Sequence, residues 1–208
     1  PQFFTVFWNS CRQVFPIILG HVLLGAPAAW AFAKFHFRGK KILYTLYIVL
    51  MLMPFQVTMV SSYLILNKMG LIDTVWAVIL PGAASTLPVF IMTRFFMDIP
   101  EAVMEAAAVD GASSLQIFLR LGLPLGAPGI LSAVVLGFLE YWNAIEAPQA
   151  FLKNQALWPL SLYMPNITAD NAGVSLIASL ITLLPPLLIF LSGQKYLEQG
   201  IISSGMKD

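Results

Sequence analysis

Five long apolar segments constrain the fold of this chain more than any other feature. A helix needs about 20 mostly apolar residues to cross the hydrocarbon core of a bilayer. The segments of about this length are Val14–Ala33, Ile42–Leu66, Val75–Thr93, Leu121–Leu139 and Ala172–Gln194. Only 10% of the residues are charged, whereas soluble domains usually carry about 25%. The sequence therefore predicts an all-α polytopic membrane bundle with about five spans, in a single transmembrane domain over residues 1–208.

Residues that would support catalysis, metal binding or nucleotide binding are scarce. Cys11 is the only cysteine, so no intrachain disulfide can form, and His21 and His36 lack partners at ligand spacing. The sequence contains no G-x-x-x-x-G-K-[ST] phosphate-binding loop. A net charge of +1 without a basic patch argues against nucleic acid as a partner. We therefore expect no catalytic residue, no metal site and no cofactor in this chain.

Positive charge distinguishes the connections between the spans. The first connection, Lys34 to Lys41, holds four positive charges and no acid, whereas the connection 141–171 holds only Lys153 as a positive charge. Because cytoplasmic loops carry the excess of Lys and Arg, we predict that the first connection and Lys207 are cytoplasmic and that the N-terminus lies outside. The chain begins at Pro1 without a methionine or a signal-peptide pattern, so we expect further residues upstream.

The connection between the third and fourth spans contains signals for a short helix, a turn and a second, amphipathic helix. Capping residues and a proline start the first helix, a glycine that tolerates a left-handed conformation ends it, and a capping box starts the second. The residues that give these signals are Asp98 and Pro100, then Asp110 and Gly111, then Ser113 and Gln116. The apolar stripe predicted for the second helix is Leu115, Phe118, Leu119 and Gly122.

The first of these two helices has a distinct chemistry. Asp98, Glu101 and Glu105 are spaced by three and four residues, so we expect their carboxylates to share one side. The alanines at 106–108 expose little side chain and allow another protein to approach closely. Docking into a groove on a partner protein and simple solvation of the cytoplasmic face are both open interpretations at this point.

The stretch EAAAVDGASSLQIFLRLGLP resembles the EAA loop of binding-protein-dependent ABC importer permeases. That pattern is Glu-Ala-Ala, three residues, Gly, nine residues, an aliphatic residue, one residue and Leu-Pro. The residues at these places are Glu105, Ala106, Ala107, Gly111, Leu121, Leu123 and Pro124, with Leu121 where the family usually has Ile. The loop predicted from the resemblance covers about residues 98–121 and contains the helix by which such permeases are coupled to their ATPase.

Further stretches resemble the carbohydrate branch of that family, the MalG-like permeases. They are FLEYWNA around Trp142 and the tail GQKYLEQGIISSGMKD, whereas the basic first loop FAKFHFRGKK resembles that of the family as a whole. The branch usually continues Trp-Asn with an acid and an aromatic residue, but here Ala144 and Ile145 follow, which weakens any statement about the sugar. Such permeases typically have six spans, so the resemblance implies that the first span is absent from this chain.

The resemblance implies a prokaryotic inner-membrane importer with several partners. They are a second, MalF-like permease subunit, two ATPase subunits, an extracytoplasmic solute-binding protein and membrane lipid. ATP and Mg would belong to the ATPase, which makes this chain a transport subunit and not an enzyme. The residues implied in ATPase coupling are Glu105, Ala106, Ala107, Asp110, Gly111 and, in the tail, Ser204, Gly205 and Lys207.

Four polar or aromatic residues are candidates for the solute path, namely Gln56, Glu140, Trp142 and Asn143. Gln56 follows Pro54 in the second span, where an unpaired amide would be costly, so we expect it to face the bundle interior. Glu140 and Glu146 flank the outer end of the fourth span, where reaching water is the simpler interpretation. Trp142 is first an interfacial aromatic and second a sugar-stacking residue, and Asn143 could hydrogen-bond to hydroxyls.

Three alternatives to a sugar permease remain at this stage. The same machine could carry another solute, such as a polyamine, phosphate or amino acid, because the EAA pattern does not separate these. A membrane-embedded enzyme would need ligand histidines or clustered carboxylates, which the sequence does not offer. An ATP-independent channel would conduct without a nucleotide.

Overall fold

The structure is a computed structural model that describes residues 2–163 and 172–205, and within them it contains helices and no β-strand. The helices before the EAA loop are α1 (Gln2–Gly20), α2 (Ala26–Lys34), α3 (Lys40–Leu52), α4 (Phe55–Lys68), α5 (Trp76–Ala83) and α6 (Thr86–Met97). The remaining helices are α7 (Glu101–Val109), α8 (Ser114–Ile117), α9 (Leu123–Leu125), α10 (Ala127–Trp142), α11 (Glu146–Phe151), α12 (Leu160–Tyr163) and α13 (Ala172–Gly205). Two π-helical turns, His21–Gly25 and Phe118–Gly122, connect α1 to α2 and α8 to α9.

Three helical segments are long and apolar enough to cross a membrane on their own. They are Phe3–Lys34, Trp76–Met97 and Leu176–Glu198, and two further bent helix pairs bring the number of candidate spans in the described residues to five. The predicted number of spans is therefore confirmed if each bent pair counts as one. The first segment starts at Phe3 and not at Val14, because the polar residues before Val14 continue the same helix.

The second predicted span, Ile42–Leu66, is not one continuous helix. Helix α3 ends at Leu52, and Pro54 adopts an extended conformation (φ −65°, ψ 147°) before α4 begins at Phe55. Proline has no N–H to donate and disfavours the helical conformation of the residue before it. The segment was predicted as one span because it carries no charge, and the structure bends this span by 106° at Pro54.

The fourth predicted span is also broken. The helical run Ser114–Leu125 and helix α10 meet at an angle of 68°, with Gly126 at the junction. Gly126 and its neighbours Gly122 and Gly129 lie against aromatic rings, and an added Cβ would come 2.2–2.8 Å from atoms of Phe96, Trp30 and Phe95. A methyl group has no room at any of the three glycines, so their lack of a side chain lets these aromatic rings pack closely against the helix.

The chain divides into two compact units. The first unit comprises Pro1–Leu19, Met53–Ala84 and Gly137–Ser192, and the second comprises Gly20–Leu52, Ser85–Leu136 and Gly193–Asp208. The single permease domain over residues 1–208 stays a prediction.

The first unit is held together by buried polar contacts as well as by apolar packing. Asn9 donates to the carbonyl oxygens of Ala156 and Trp158 at 2.7 and 3.1 Å, and Gln13 donates to that of Leu157 at 2.9 Å. Both side chains are buried. These bonds fix the loop after α11 against α1, because buried carbonyl groups need donors.

Trp142 belongs to the core of the first unit. Its indole stacks on Phe138, with centroids 5.3 Å apart, and its Nε1–H donates to the carbonyl of Thr182 at 3.1 Å. Only 2% of its surface is exposed. Trp142 is therefore a core residue of the first unit, and its two predicted roles, as an interfacial aromatic and as a sugar-stacking residue, stay predictions.

The core of the second unit lies directly behind the EAA loop. Trp30 packs edge-on against Phe96, with ring centroids 5.3 Å apart, and at 5.6 Å from Phe118. Met104 and Ala107 of α7 and Ala112 of the following turn pack against this cluster. The short helix α7 is thus seated on the core of the unit by one of its sides.

Candidate coupling element and solute-facing residues

The start of α7 is fixed by backbone geometry and by a lysine, not by an acidic cap. Pro100 is the N-cap residue (φ −61°, ψ 138°), with no side-chain capping bond, and Asp98 instead ends α6. The predicted capping role of Asp98 is therefore wrong, because the extended Pro100 starts the helix two residues later. The ammonium group of Lys34 donates to the carbonyl oxygen of Ile99, between the two helices.

The end of α7 is a Schellman motif. Gly111 has φ +84° and donates its N–H to the carbonyl of Ala108 at 3.0 Å, while Ala112 donates to that of Ala107 at 3.0 Å. These two bonds satisfy carbonyls that a helix end leaves open. The predicted end at Asp110 and Gly111 is confirmed.

A capping box begins the second short helix, as the sequence predicts. The Ser113 N–H donates to Gln116 Oε1 at 2.8 Å, and the Gln116 N–H donates to Ser113 Oγ at 3.3 Å. The apolar stripe that was predicted to follow is divided: Phe118 is buried, whereas Leu115 and Leu119 are exposed. The buried side of this segment consists of Ile117, Phe118 and Gly122.

The side of α7 that does not touch the core forms a continuous exposed strip. Its members are spaced by three and four residues and all are exposed; they are Ala102, Glu105, Ala106 and Val109, and we call them the outer face of α7. Val109 is 87% exposed. Val109 was not predicted to belong to this strip, although its position four residues after Glu105 indicates the same side of the helix.

The two alanines of the EAA pattern have different environments. Ala106 is exposed on the outer face of α7, whereas Ala107 is half-buried and packs against the core of the second unit. Asp110 and Gly111 are exposed at the end of the helix. Lys207 lies outside the described residues, as do the side chain of Ser204 and the surroundings of Gly205, so the predicted contacts of the tail stay predictions.

The residues predicted for the solute path do not form one cluster. Gln56 is exposed in this chain, and its Nε2 donates to Glu146 Oε1 at 2.6 Å. Asn143 is exposed just after the end of α10 and donates to the carbonyl of Leu139 in the last turn of that helix at 2.8 Å. Glu140 is exposed on α10. Gln56 is thus paired with Glu146, whereas Glu140 and Asn143 are not part of this pair.

A shallow groove continues from the Gln56–Glu146 pair along α4 and α11. It has a volume of about 180 Å³ and is lined by Met59, Val60, Tyr63 and Ala150. Gln56 and Tyr63 are seven residues apart on α4, which places them on one side of the helix. Tyr63 was not predicted as a candidate for the solute path, although its spacing from Gln56 indicates the same side of the helix.

The loop that carries α11 is anchored by Asp73. Its carboxylate Oδ1 accepts hydrogen bonds from the N–H groups of Lys153 and Asn154 at 2.9 and 2.7 Å. The Asp73 N–H donates to the carbonyl of Phe151 at 2.9 Å, and Asp73 itself has φ +63°. This double contact fixes the end of α11 next to the loop that precedes α5.

Within residues 2–163 and 172–205, no three His, Cys, Asp or Glu side chains lie close enough together to hold a metal ion.

Comparison with known proteins places this geometry in a family. The family described as binding-protein-dependent transport system inner membrane component matches residues 21–203. The arabinooligosaccharides transport system permease protein AraQ of Halalkalibacterium halodurans is 26% identical over 99% of this chain and 75% of its own length. The diacetylchitobiose uptake system permease protein NgcG of Streptomyces coelicolor is 30% identical over 96% of this chain and 68% of its own length.

A solved structure has the same fold. The crystal structure of a bacterial ABC transporter involved in the import of the acidic polysaccharide alginate matches with a TM-score of 0.81 and 21% identity. The match covers 94% of this chain and 75% of that one. The resemblance stated from the EAA pattern is thereby confirmed, as is the prediction of a transport subunit whose ATPase is a separate protein. The chain belongs to the family of multi-pass inner-membrane permease components of binding-protein-dependent ABC transport systems.

Proposed function

We propose that this chain forms half of the translocation path of an ATP-driven importer for a sugar or oligosaccharide. Relatives named for arabinooligosaccharides and diacetylchitobiose support the solute class. In the proposed assembly, a MalF-like permease is the second half, two ATPase subunits bind on the cytoplasmic side, and a solute-binding protein delivers solute from outside. The N-terminus of this chain is outside and the C-terminus is cytoplasmic, in keeping with the four positive charges of the first connection.

The outer face of α7 is the proposed contact with the ATPase, and its exposure is the observation that carries the proposal. Val109 offers a large apolar contact, Ala106 permits close approach, and Glu105 offers a carboxylate to a cation of the partner. Small, apolar and charged groups on one helical strip suit insertion into a groove.

Rigid attachment of α7 is what lets it transmit a displacement. The helix is joined to the preceding corner by the Lys34–Ile99 bond and closed by the Gly111 turn. Its inner side, through Met104 and Ala107, rests on the aromatic core of the second unit. A displacement of the ATPase groove therefore moves this core rather than only a loop, because packed cores transmit strain.

The groove beside Gln56 and Glu146 is the proposed contact with solute in this chain. A carboxylate and an amide offer acceptors and donors to hydroxyl groups, and the Tyr63 ring offers a surface to the apolar face of a pyranose. Gln56 and Tyr63 are about 10 Å apart along α4 by helical rise, a length that accommodates about two sugar rings. No cofactor is assigned to this chain, and ATP with Mg belongs to the ATPase.

The decisive experiment compares two identical substitutions on α7. Ala106→Trp places a bulky ring on the outer face, whereas Ala108→Trp places it about 200° around the same helix, where Ala108 is also exposed. Each variant is purified from its native membrane, and the ATPase that accompanies it is quantified. We expect Ala106→Trp to lose the ATPase and Ala108→Trp to retain it; equal retention by both would refute the coupling role.

The solute class has a separate test. The cognate solute-binding protein is purified without added ligand, and the small molecule that it carries is identified by mass spectrometry. A sugar or oligosaccharide is expected. A polyamine, phosphate or amino acid would refute the solute class and leave the coupling role intact.

A further inference from the structure

Helix α1 presents an apolar strip that contains one arginine. Phe4, Trp8, Phe15 and Leu19 are each 57–70% exposed, and Arg12 lies in the middle of the same strip at helical spacing. A groove of about 570 Å³ opens here, lined by Trp8, Cys11, Arg12, Phe15 and Pro16. We propose that this groove binds a glycerophospholipid, with the phosphate on Arg12 and an acyl chain along Phe15 and Leu19.

The position of Arg12 along the helix matches the depth of lipid phosphates. The candidate span runs from Phe3 to Lys34, which is 32 residues and longer than a bilayer core requires. Counting about 20 residues back from Lys34 reaches Phe15, so Arg12 lies three residues, or about 4–5 Å, beyond the hydrocarbon. That level is the headgroup region, where tryptophans such as Trp8 are enriched. The depth of Arg12 is the same in either orientation of the chain; with the N-terminus outside, the lipid belongs to the outer leaflet.

The chemistry of the groove favours a phosphodiester over an apolar helix. Among residues 2–163 and 172–205, no acidic side chain forms an ion pair or a hydrogen bond with Arg12, and its guanidinium lies beside the aromatic walls of the groove. A guanidinium binds two phosphate oxygens at once through its planar donors. The apolar residues Phe15 and Leu19, on the side that leads into the hydrocarbon, provide the surface that a tail requires. A phospholipid has a phosphate for Arg12 and, next to it, acyl chains for the apolar residues that follow along α1.

A photoreactive lipid tests the proposal on the assembled transporter. The probe is a phosphatidylglycerol with a diazirine near the top of one acyl chain, and the comparison probe is the matching diacylglycerol, which lacks the phosphate. Crosslinks are mapped by mass spectrometry to the α1 peptide that contains Trp8 to Leu19. Loss of a charge-assisted hydrogen bond lowers affinity roughly tenfold or more, so Arg12→Gln should lower the crosslink yield by that factor at limiting probe.

Two matched variants keep the result interpretable. Arg12→Lys retains the positive charge and should keep an intermediate yield, which separates charge from misfolding. Lys153→Gln removes an exposed cation elsewhere in the first unit and should leave the yield unchanged. Equal yields in wild type and Arg12→Gln, or equal labelling by the diacylglycerol, would overturn the proposal. Dissociation of the second permease from Arg12→Gln, with unchanged lipid labelling of the intact remainder, would show that a protein covers this strip, and would also overturn it.

Discussion

The ammonium group of Lys34 donates a hydrogen bond to the carbonyl oxygen of Ile99 and so joins the last turn of α2 to the corner between α6 and α7. Ile99 is itself buried, and its neighbour Pro100 is the N-cap residue of α7. The carboxylates of Asp98 and Glu101 also interact electrostatically with this lysine. The basic first connection is therefore part of the support of α7, in addition to its role in orientation.

Replacing Lys34 with Met should loosen α7 without removing its contact surface. Loss of a charged hydrogen bond of about 1.5–3 kcal/mol should raise hydrogen exchange of the α7 amides about tenfold or more. Transport per ATP hydrolysed should fall in proteoliposomes, and Lys34→Arg should restore part of it. Lys40→Met is the matched control, because Lys40 donates to Phe35 in the same connection and not to the corner. Equal exchange in both variants would contradict the role of Lys34.

Replacing Gly111 with Ala should weaken the turn after α7 by strain alone. Gly111 has φ +84°, and no atom lies within 4 Å of the position of an added Cβ. The left-handed conformation costs a non-glycine residue roughly 1–2 kcal/mol, so we expect lower thermal stability and weaker ATPase association. Gly39→Ala is a close control, since Gly39 has φ +83° and equally open surroundings in the first connection. Gly39→Ala should lower the thermal stability through the same strain and leave ATPase association unchanged.

In the EAA loop, the local features could be predicted from the sequence, whereas the contacts with distant residues could not. Gly111 and the Ser113–Gln116 capping box were predictable because each is decided by a few neighbouring residues. The different environments of Ala106 and Ala107 were not, because they depend on which side of α7 meets Trp30 and Phe96, residues distant in sequence. The burial of Trp142 was missed for the same reason, since Phe138 and Thr182 cover it only after folding.

Polar pairs and broken helices were only partly predictable. The composition of Ile42–Leu66 indicates a span, but a single proline at position 54 decides that it is two helices. Gln56 was identified as a costly amide in that span, which was a sound reason to expect a partner. Its partner Glu146 lies 90 positions away, and no spacing in the sequence connects the two.

Enlarging Ala107 should destabilise the protein, in contrast to the Ala106 substitution. Ala107 packs against the core of the second unit, and overpacking a well-filled site costs about 1–3 kcal/mol. Ala107→Leu should therefore lower the midpoint of thermal unfolding of the purified transporter, whereas Ala106→Leu should leave it unchanged. Differential scanning fluorimetry in detergent distinguishes them. An unchanged midpoint for Ala107→Leu would show that this side of α7 is not packed.

Replacing Glu105 with Gln should weaken the ATPase contact through charge. Glu105 is exposed on the outer face of α7, and a carboxylate paired across an interface contributes to association in a salt-dependent way. We expect ATPase association to fall several-fold at low salt, with a smaller difference at high salt. Glu140→Gln is the control for ATPase association, because it removes an exposed carboxylate on α10, outside the EAA loop. If association and transport are both unaffected by Glu105→Gln, this carboxylate has no role in coupling.

Exchanging the partners of the Gln56–Glu146 pair should separate its structural role from its role in solute contact. The two side chains are joined by a hydrogen bond of 2.6 Å. Gln56→Glu alone places two carboxylates side by side, and their repulsion should push the two side chains apart. Adding Glu146→Gln to the same chain should restore a hydrogen-bonded pair of one amide and one carboxylate, with the single negative charge now on α4. If the pair only holds α4 against α11, the double variant should transport as wild type. If it contacts solute hydroxyls, as we propose, the double variant should regain the thermal stability of wild type and keep a KM for transport raised several-fold. Recovery of both properties would remove the pair from the solute path, because a contact with sugar depends on which helix carries the carboxylate.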